Sequence, residues 1–212
     1  MRRSVGVDVA ELVASVGRAP DDGDETATRI LDAAAELFTT IGVRRCSLDD
    51  IAERSGVGRT TLYRRFGGRQ QITEAVLARE VHRFFGSILA STAHLRGFDD
   101  LVVESFLGGL RAGETSLLGV LVRAEPELLA LLTIDGGPVV DAARDFLVAA
   151  YRAGRPGASD EQLTDAAVVA EVLVRLAISL VLTPATVIPL DDDEAARTAL
   201  HRLLDPVLTP LA

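Results

Sequence analysis

A chain of 212 residues holds one large or two small domains. Hydrophobic residues make up 48% and charged residues 25%, with mean hydropathy +0.26, so the chain is globular and apolar enough to bury surface against a partner or a ligand. All 22 basic residues are Arg, which excludes Schiff-base lysine chemistry and a phosphate-loop lysine, and a net charge of −9 excludes a uniformly basic surface.

Residues 1–25 read as a leader. Val5, Val9, Leu12, Val13 and Val16 have the spacing of one short amphipathic helix, and Pro20 to Glu25 read as an exposed acidic linker. No long apolar region follows Arg2 and Arg3, so no signal peptide is expected. Residues 26–70 form the next predicted domain. Its first helix runs from about Thr26 to Ile41, with Ile30, Ala33, Ala34, Leu37, Phe38 and Ile41 on one stripe. Gly42 ends it. Ser47 opens a second helix as N-cap, with Asp50 completing a capping-box-like pair. Gly56 closes that helix and Gly58 opens a third, about Arg59 to Arg65. A longer helix starts near Gly68 and runs towards Leu89.

Residues 71–212 are predicted to be a helical body. After Gly97 helices are expected at about 98–112, 115–124, 125–134, 137–154, 160–183 and 192–209, with Asp160 and Asp191 at helix starts. The predicted fold is all-α, with about nine main helices. The longest apolar run, Ala166 to Leu182, contains Glu171 and Arg175, which argues against a membrane span. The charge is unevenly divided along these segments. Residues 26–84 hold ten Arg against seven acids, and residues 85–212 hold nine Arg against eighteen acids. A basic head on an acidic body suits a protein that touches nucleic acid at one end only.

Two short helices joined by a Gly-containing turn form a helix-turn-helix, whose second helix enters the major groove of double-stranded DNA. Leu62 and Phe66 anchor that helix inward, and Arg59, Thr60, Thr61 and Arg64 project away. Arg forks suit guanine edges or phosphate, Thr groups suit base edges and thymine methyls, and the Tyr63 hydroxyl suits phosphate.

The stretch AAAELFTTIGVRRCSLDDIAERSGVGRTTLYRRFGGRQQI, residues 33–72, closely resembles the TetR family of bacterial transcriptional regulators. The shared features are Phe38 and Gly42, the Ser47 cap, Asp50-Ile51-Ala52, Gly56-Val57, Thr61-Leu62-Tyr63 and Phe66. The resemblance implies a three-helix DNA-binding domain on a helical ligand-binding and dimerisation domain, usually a repressor that a small-molecule effector releases. It implies that Arg59, Thr60, Thr61 and Arg64 face bases or nearby backbone, and that Ser47, Tyr63 and Arg69 hold phosphates. Arg44 and Arg45, in the loop before Ser47, would add backbone contacts. Gly58 stands where members often have Ser, which weakens the cap, and Arg69 replaces the usual Lys.

For the body the expectations come from residue pattern. Phe106, Leu110, Leu121, Phe146 and Tyr151 are candidates to line an effector pocket suited to a hydrophobic or amphipathic molecule. Val168, Val172, Leu176, Leu180, Leu200 and Leu204, on the last two helices, are candidates for a homodimer interface. Enzymatic readings find little support. His82, His94 and His201 lack metal-ligand spacing, and no nucleophile elbow or dinucleotide loop occurs, so no catalytic residue, metal or cofactor is expected. The alternative is a helical small-molecule-binding protein or enzyme with a vestigial head. The single Cys46 fits a reducing cytoplasm. Positive potential from Arg44, Arg45 and Arg59 would lower its thiol pKa, as a redox sensor needs, although an incidental small residue is the preferred reading.

Overall fold

The computed structural model describes residues 24–95, 98–124, 129–130, 133–134 and 137–208. Among these residues the regular elements are nine α-helices and no strand. The predicted leader helix falls outside the described residues, as does most of the helix expected at 125–134.

The described part of Met1–Phe84, together with that of Thr115–Asp135, forms one compact unit. Helix α1 spans Glu25–Thr40, and Ile30, Ala33, Ala34 and Phe38 bury its apolar stripe. Its N-cap is Asp24, whose carboxylate accepts from the backbone N–H of Thr26 at 3.1 Å and of Ala27 at 3.2 Å. The acidic stretch expected to be a linker therefore ends in a helix cap, which offsets two of the unpaired first-turn donors. Helix α2 (Leu48–Ser55) starts with a complete capping box between Ser47 and Asp50. It stops at Gly56, whose φ of 65° is left-handed. A Cβ there would also lie 3.3 Å from Arg29 Nη2, the atom that donates to the Ser55 carbonyl at 2.7 Å, so Gly suits the turn twice over.

Helix α3 is Arg59–Phe66 and α4 is Arg69–Thr92. Ile51, Leu62, Ile72 and Val76 are fully buried in this unit. After α5 (Phe98–Thr115), helix α6 (Leu117–Ala124) packs against α1, with Leu121 and Val122 buried. The compact unit that carries the head extends to Phe84 and takes in a later helix.

The second unit holds Phe85–Glu114 and the described part of Gly136–Ala212. Helix α7 (Gly137–Gly154) packs extensively on α8 (Asp160–Leu182), and α9 covers Asp193–Leu208. The cap of α8 is Ser159, in a box with Gln162, and the cap of α9 is Asp192, which accepts from Glu194 N–H at 3.0 Å and Ala195 N–H at 2.9 Å. Each cap lies one residue from the Asp expected at that start. In α9, Ala196, Leu200, Leu204 and Leu208 recur every fourth residue and are buried against Val103, Phe106 and Leu110 of α5 and Leu173 of α8. Ion pairs Arg197–Glu104 and Arg111–Asp193 link α9 to α5 at the surface.

The approach of α5 to α8 is set by Gly113. A Cβ there would lie 2.6 Å from Val181 Cγ2, and the β-branched Val181 side chain has little rotamer freedom in a helix. Gly113→Ala is expected to cost about 1–3 kcal/mol of the unit's stability despite Ala's better helix propensity. Adding Val181→Ala should return most of that loss, which urea unfolding of the single and double variants measures; no recovery would place the cost elsewhere.

Candidate nucleic-acid interface

The turn Gly56–Val57–Gly58 sets α3 against α2. Val57 is buried, and its N–H reaches the Ala52 carbonyl at 3.2 Å and the Ser55 hydroxyl at 3.3 Å. As the sequence suggested, Gly58 supplies no side-chain cap to α3. A helix of eight residues is too short to persist alone, so tertiary contact must hold it. Leu62 is 0% exposed and provides the buried anchor. Phe66 is only partly buried.

With Leu62 inward, Arg59, Thr60, Tyr63 and Arg64 lie on the exposed side, and Thr61 is partly buried. Arg59 and Tyr63 share one face, with the guanidinium carbon 5.8 Å from the ring centroid. Thr60 and Arg64 share the adjacent face by their i,i+4 spacing. Arg44 and Arg45 are exposed in the preceding loop, and Arg45 Nε donates to the Ile41 carbonyl at 2.6 Å. Arg69 is partly buried and donates to the Val43 carbonyl at 3.3 Å, so it braces the loop that carries Arg44 and Arg45.

Most of the ten arginines of the basic segment divide by task. Arg29 ties α1 to the end of α2, Arg54 pairs with Glu36, and Arg65 pairs with Asp24 across α3 and α1. Arg79 is buried, with Nη1 2.8 Å from Asp32. Those four make contacts within the unit, whereas Arg44, Arg45, Arg59 and Arg64 point outward. Local charge counting does not separate the two groups.

Two residues near the interface have partners that bear on their expected roles. The Ser47 hydroxyl donates to Asp50 Oδ2 at 2.6 Å and accepts from Asp50 N–H at 3.2 Å. Its one hydrogen is thus engaged in the cap, which holds the Asp50 carboxyl below its ordinary pKa. A phosphate contact from that hydroxyl requires the box to rearrange. Cys46 is only 2% exposed, and burial, with Asp50 nearby, pushes its thiol up to about 11; the cation that opposes this is Arg69, not Arg44, Arg45 or Arg59. The depressed thiol needed for a redox sensor is therefore not present. Cys46 is expected to resist iodoacetamide at neutral pH until the protein unfolds. Because the folded thiol holds its proton more tightly than the ordinary value of 9.0, its contribution to stability should be intact below pH 9 and fade as pH rises towards 11. Rapid alkylation of the native protein would contradict this.

The residues expected to line a pocket fall in several places. Phe106 and Leu110 are buried in the α5–α8–α9 core, and Tyr151 is buried in a second cluster with Ala166. Phe146 is partly buried against Phe85, ring centroids 5.2 Å apart, and Leu121 belongs to the other unit. A cavity of about 140 Å³ opens beside Leu110, Leu180, Val181 and Ile188, with Glu114 and Asp191 at its wall. It is smaller than the 300–1,000 Å³ or so that a drug-sized ligand fills.

Among the residues expected at a dimer interface, Val168 and Val172 are about 60% exposed, and Leu176 and Leu180 continue their stripe partly buried. Leu200 and Leu204 are enclosed in their own unit; the exposed apolar pair on α9 is Leu203 and Val207. Among the described residues no His, Cys, Asp and Glu cluster could hold a metal, and no helix is long and apolar enough to cross a membrane.

Comparison with known proteins agrees with this architecture. The model for tetR-family bacterial regulatory proteins matches residues 30–76, and a Tetracyclin repressor C-terminal domain model matches residues 101–206. The HTH-type transcriptional regulator AlkX of Mycobacterium tuberculosis is 31% identical over 185 residues, covering 84% of this chain and 82% of that protein. The HTH-type transcriptional activator FasR of Mycolicibacterium smegmatis is 34% identical over 130 residues, covering 58% and 59%. The crystal structure of the TetR family repressor AlkX from a Dietzia species, implicated in biodegradation of n-alkanes, superposes with TM-score 0.62 at 25% identity, covering 87% of this chain and 98% of that one. A C-terminal model across residues 101–206, joined to a helix-turn-helix model and a relative aligned along most of both chains, places this chain in the tetR family of DNA-binding transcriptional regulators.

Proposed function

We propose that the protein is a homodimeric repressor that reads operator DNA through α3 and releases it when a small hydrophobic molecule binds the body. The observation that carries this reading is the outward set Arg59, Thr60, Tyr63 and Arg64, held on a short helix by the buried Leu62. Arg59, Thr60, Thr61 and Arg64 meet base edges or adjacent backbone. Arg44, Arg45, Tyr63 and Arg69 meet phosphates, with Ser47 joining them if its cap opens. The protein acts by binding rather than by catalysis, in the cytoplasm.

Repression is supported by the repressor from the Dietzia species, and the activator FasR shows why the sign needs measurement. The apolar side chains of the body, Phe106 and Leu110 in one cluster, Tyr151 in another and Phe146 against Phe85, and likeness to a repressor implicated in n-alkane breakdown, support a hydrophobic effector. The dimer forms through the exposed apolar stripe Val168–Val172 on α8, aided by Leu203 and Val207 on α9. Two recognition helices then address half-sites about one DNA turn, or a multiple of it, apart.

Operator DNA selected by the protein from genomic fragments provides the test. Binding should weaken with salt, with each neutralised phosphate adding about −0.9 to the logarithmic slope. Val168→Asp with Val172→Asp should yield monomers by sedimentation and cost at least about tenfold in operator affinity, because one half-site is lost. A fully dimeric variant would move the interface elsewhere. Release by sugars but not by aliphatic compounds would overturn the hydrophobic effector.

A further inference from the structure

We infer that Asp49 is a positioning residue for Arg59 and sets how strongly the protein discriminates its operator from other DNA. This inference rests on reading α3 as the base-reading helix. Asp49 is the second residue of α2 and Arg59 the first of α3, and the glycine turn folds them together. Arg59 Nη1 lies 2.9 Å from Asp49 Oδ1 and 3.1 Å from Oδ2. Both side chains remain exposed, at 55% for Arg59 and 71% for Asp49. An exposed pair of this kind adds little to fold stability. Nor does Asp49 close the helix cap, since Ser47 and Asp50 form that box.

A carboxylate on the face that meets DNA repels phosphates of every sequence. What it provides here is geometry. Asp49 engages a single guanidinium nitrogen, Nη1, so its own bonds do not occupy the Nε–Nη2 edge, whose two parallel donors match guanine O6 and N7, and the Tyr63 side chain is a second hydrogen-bond partner of the group. The Tyr63 ring lies against the same guanidinium, 5.8 Å away, and limits its swing. A long, flexible side chain is thereby held in one posture before binding, which lowers the entropy cost of a base contact. The same carboxylate penalises stray phosphate contacts, so it weakens the competitor more than the target.

The test compares two duplexes at several salt concentrations: the sequence that wild-type protein enriches from a randomised pool, and a scrambled version of it. Asp49→Asn keeps the shape and removes the charge. It should bind the scrambled duplex about two- to fivefold more tightly per recognition helix and gain less on the enriched one, so the affinity ratio falls. Asp49→Ser, which retains a residue suited to a helix start, should lower the ratio likewise. In an Arg59→Ala background neither change should move the ratio. Equal gains on both duplexes, or a fall of the same size without Arg59, would overturn the inference. If Arg59→Ala alone leaves both affinities at their wild-type values, the assignment of α3 itself fails and the inference with it. Thermal unfolding by circular dichroism should match wild type throughout.

Discussion

Alanine at both Arg59 and Tyr63 is expected to abolish operator binding, a loss of at least about a hundredfold, while the protein stays folded. The two side chains share one exposed face of α3, one turn apart, and neither contributes to the buried core. A bidentate Arg contact to guanine is worth roughly tenfold to a hundredfold in discrimination. On the proposed reading, loss of the Tyr63 hydroxyl removes a neighbouring phosphate contact, and two half-sites double the effect. Alanine is the best helix former, so α3 should persist. Fluorescence anisotropy on a labelled operator and a circular dichroism melt decide the matter together. Wild-type affinity in this variant would refute the assigned site.

Leu62→Ala should produce the complementary result, losing DNA binding because the head loosens. Leu62 is fully buried and is the only buried side chain of α3. Removing it leaves a cavity that costs about 2–5 kcal/mol, a large part of the stability of a small domain. The helix has few other supports: eight residues and no side-chain N-cap, with Arg65–Asp24 as a tether at its far end. Urea unfolding followed by proteolysis of the head should show the loss. Leu62→Met, which keeps volume, should cost less than about 1.5 kcal/mol and restore binding. If Leu62→Ala retains wild-type stability, the anchoring role of Leu62 is wrong.

These two variants separate what is local from what is not. The apolar stripe of α1, the Ser47–Asp50 box and the stop at Gly56 were legible because each is a relation between residues within about one helical turn. The uncapped start of α3 was legible for the same reason. Asp24 as a cap was missed because acidic, Gly- and Pro-containing segments also describe linkers, and only the helix that follows distinguishes the two. Ser159 and Asp192 were displaced by one residue from the expected caps because adjacent Ser and Asp residues satisfy the same rule.

The sequence by itself determined that the chain is helical, that its basic charge gathers in one segment, and that this segment carries a helix-turn-helix with named outward residues. Periodicity, caps and family motifs are short-range patterns, and they survive without knowledge of the neighbours. Tertiary structure alone decided which arginines brace the head and which face outward, since Arg65–Asp24, Arg29–Ser55 and Arg59–Asp49 join residues far apart in the chain. It also decided that Leu200 and Leu204 belong to their own unit's core while Leu203 and Val207 face outward, because a helix with apolar residues on several sides takes its buried face from whatever packs against it. The Cys46 thiol follows the same rule: nearby positive charge was visible in the sequence, but burial, which is a property of the fold, outweighs it.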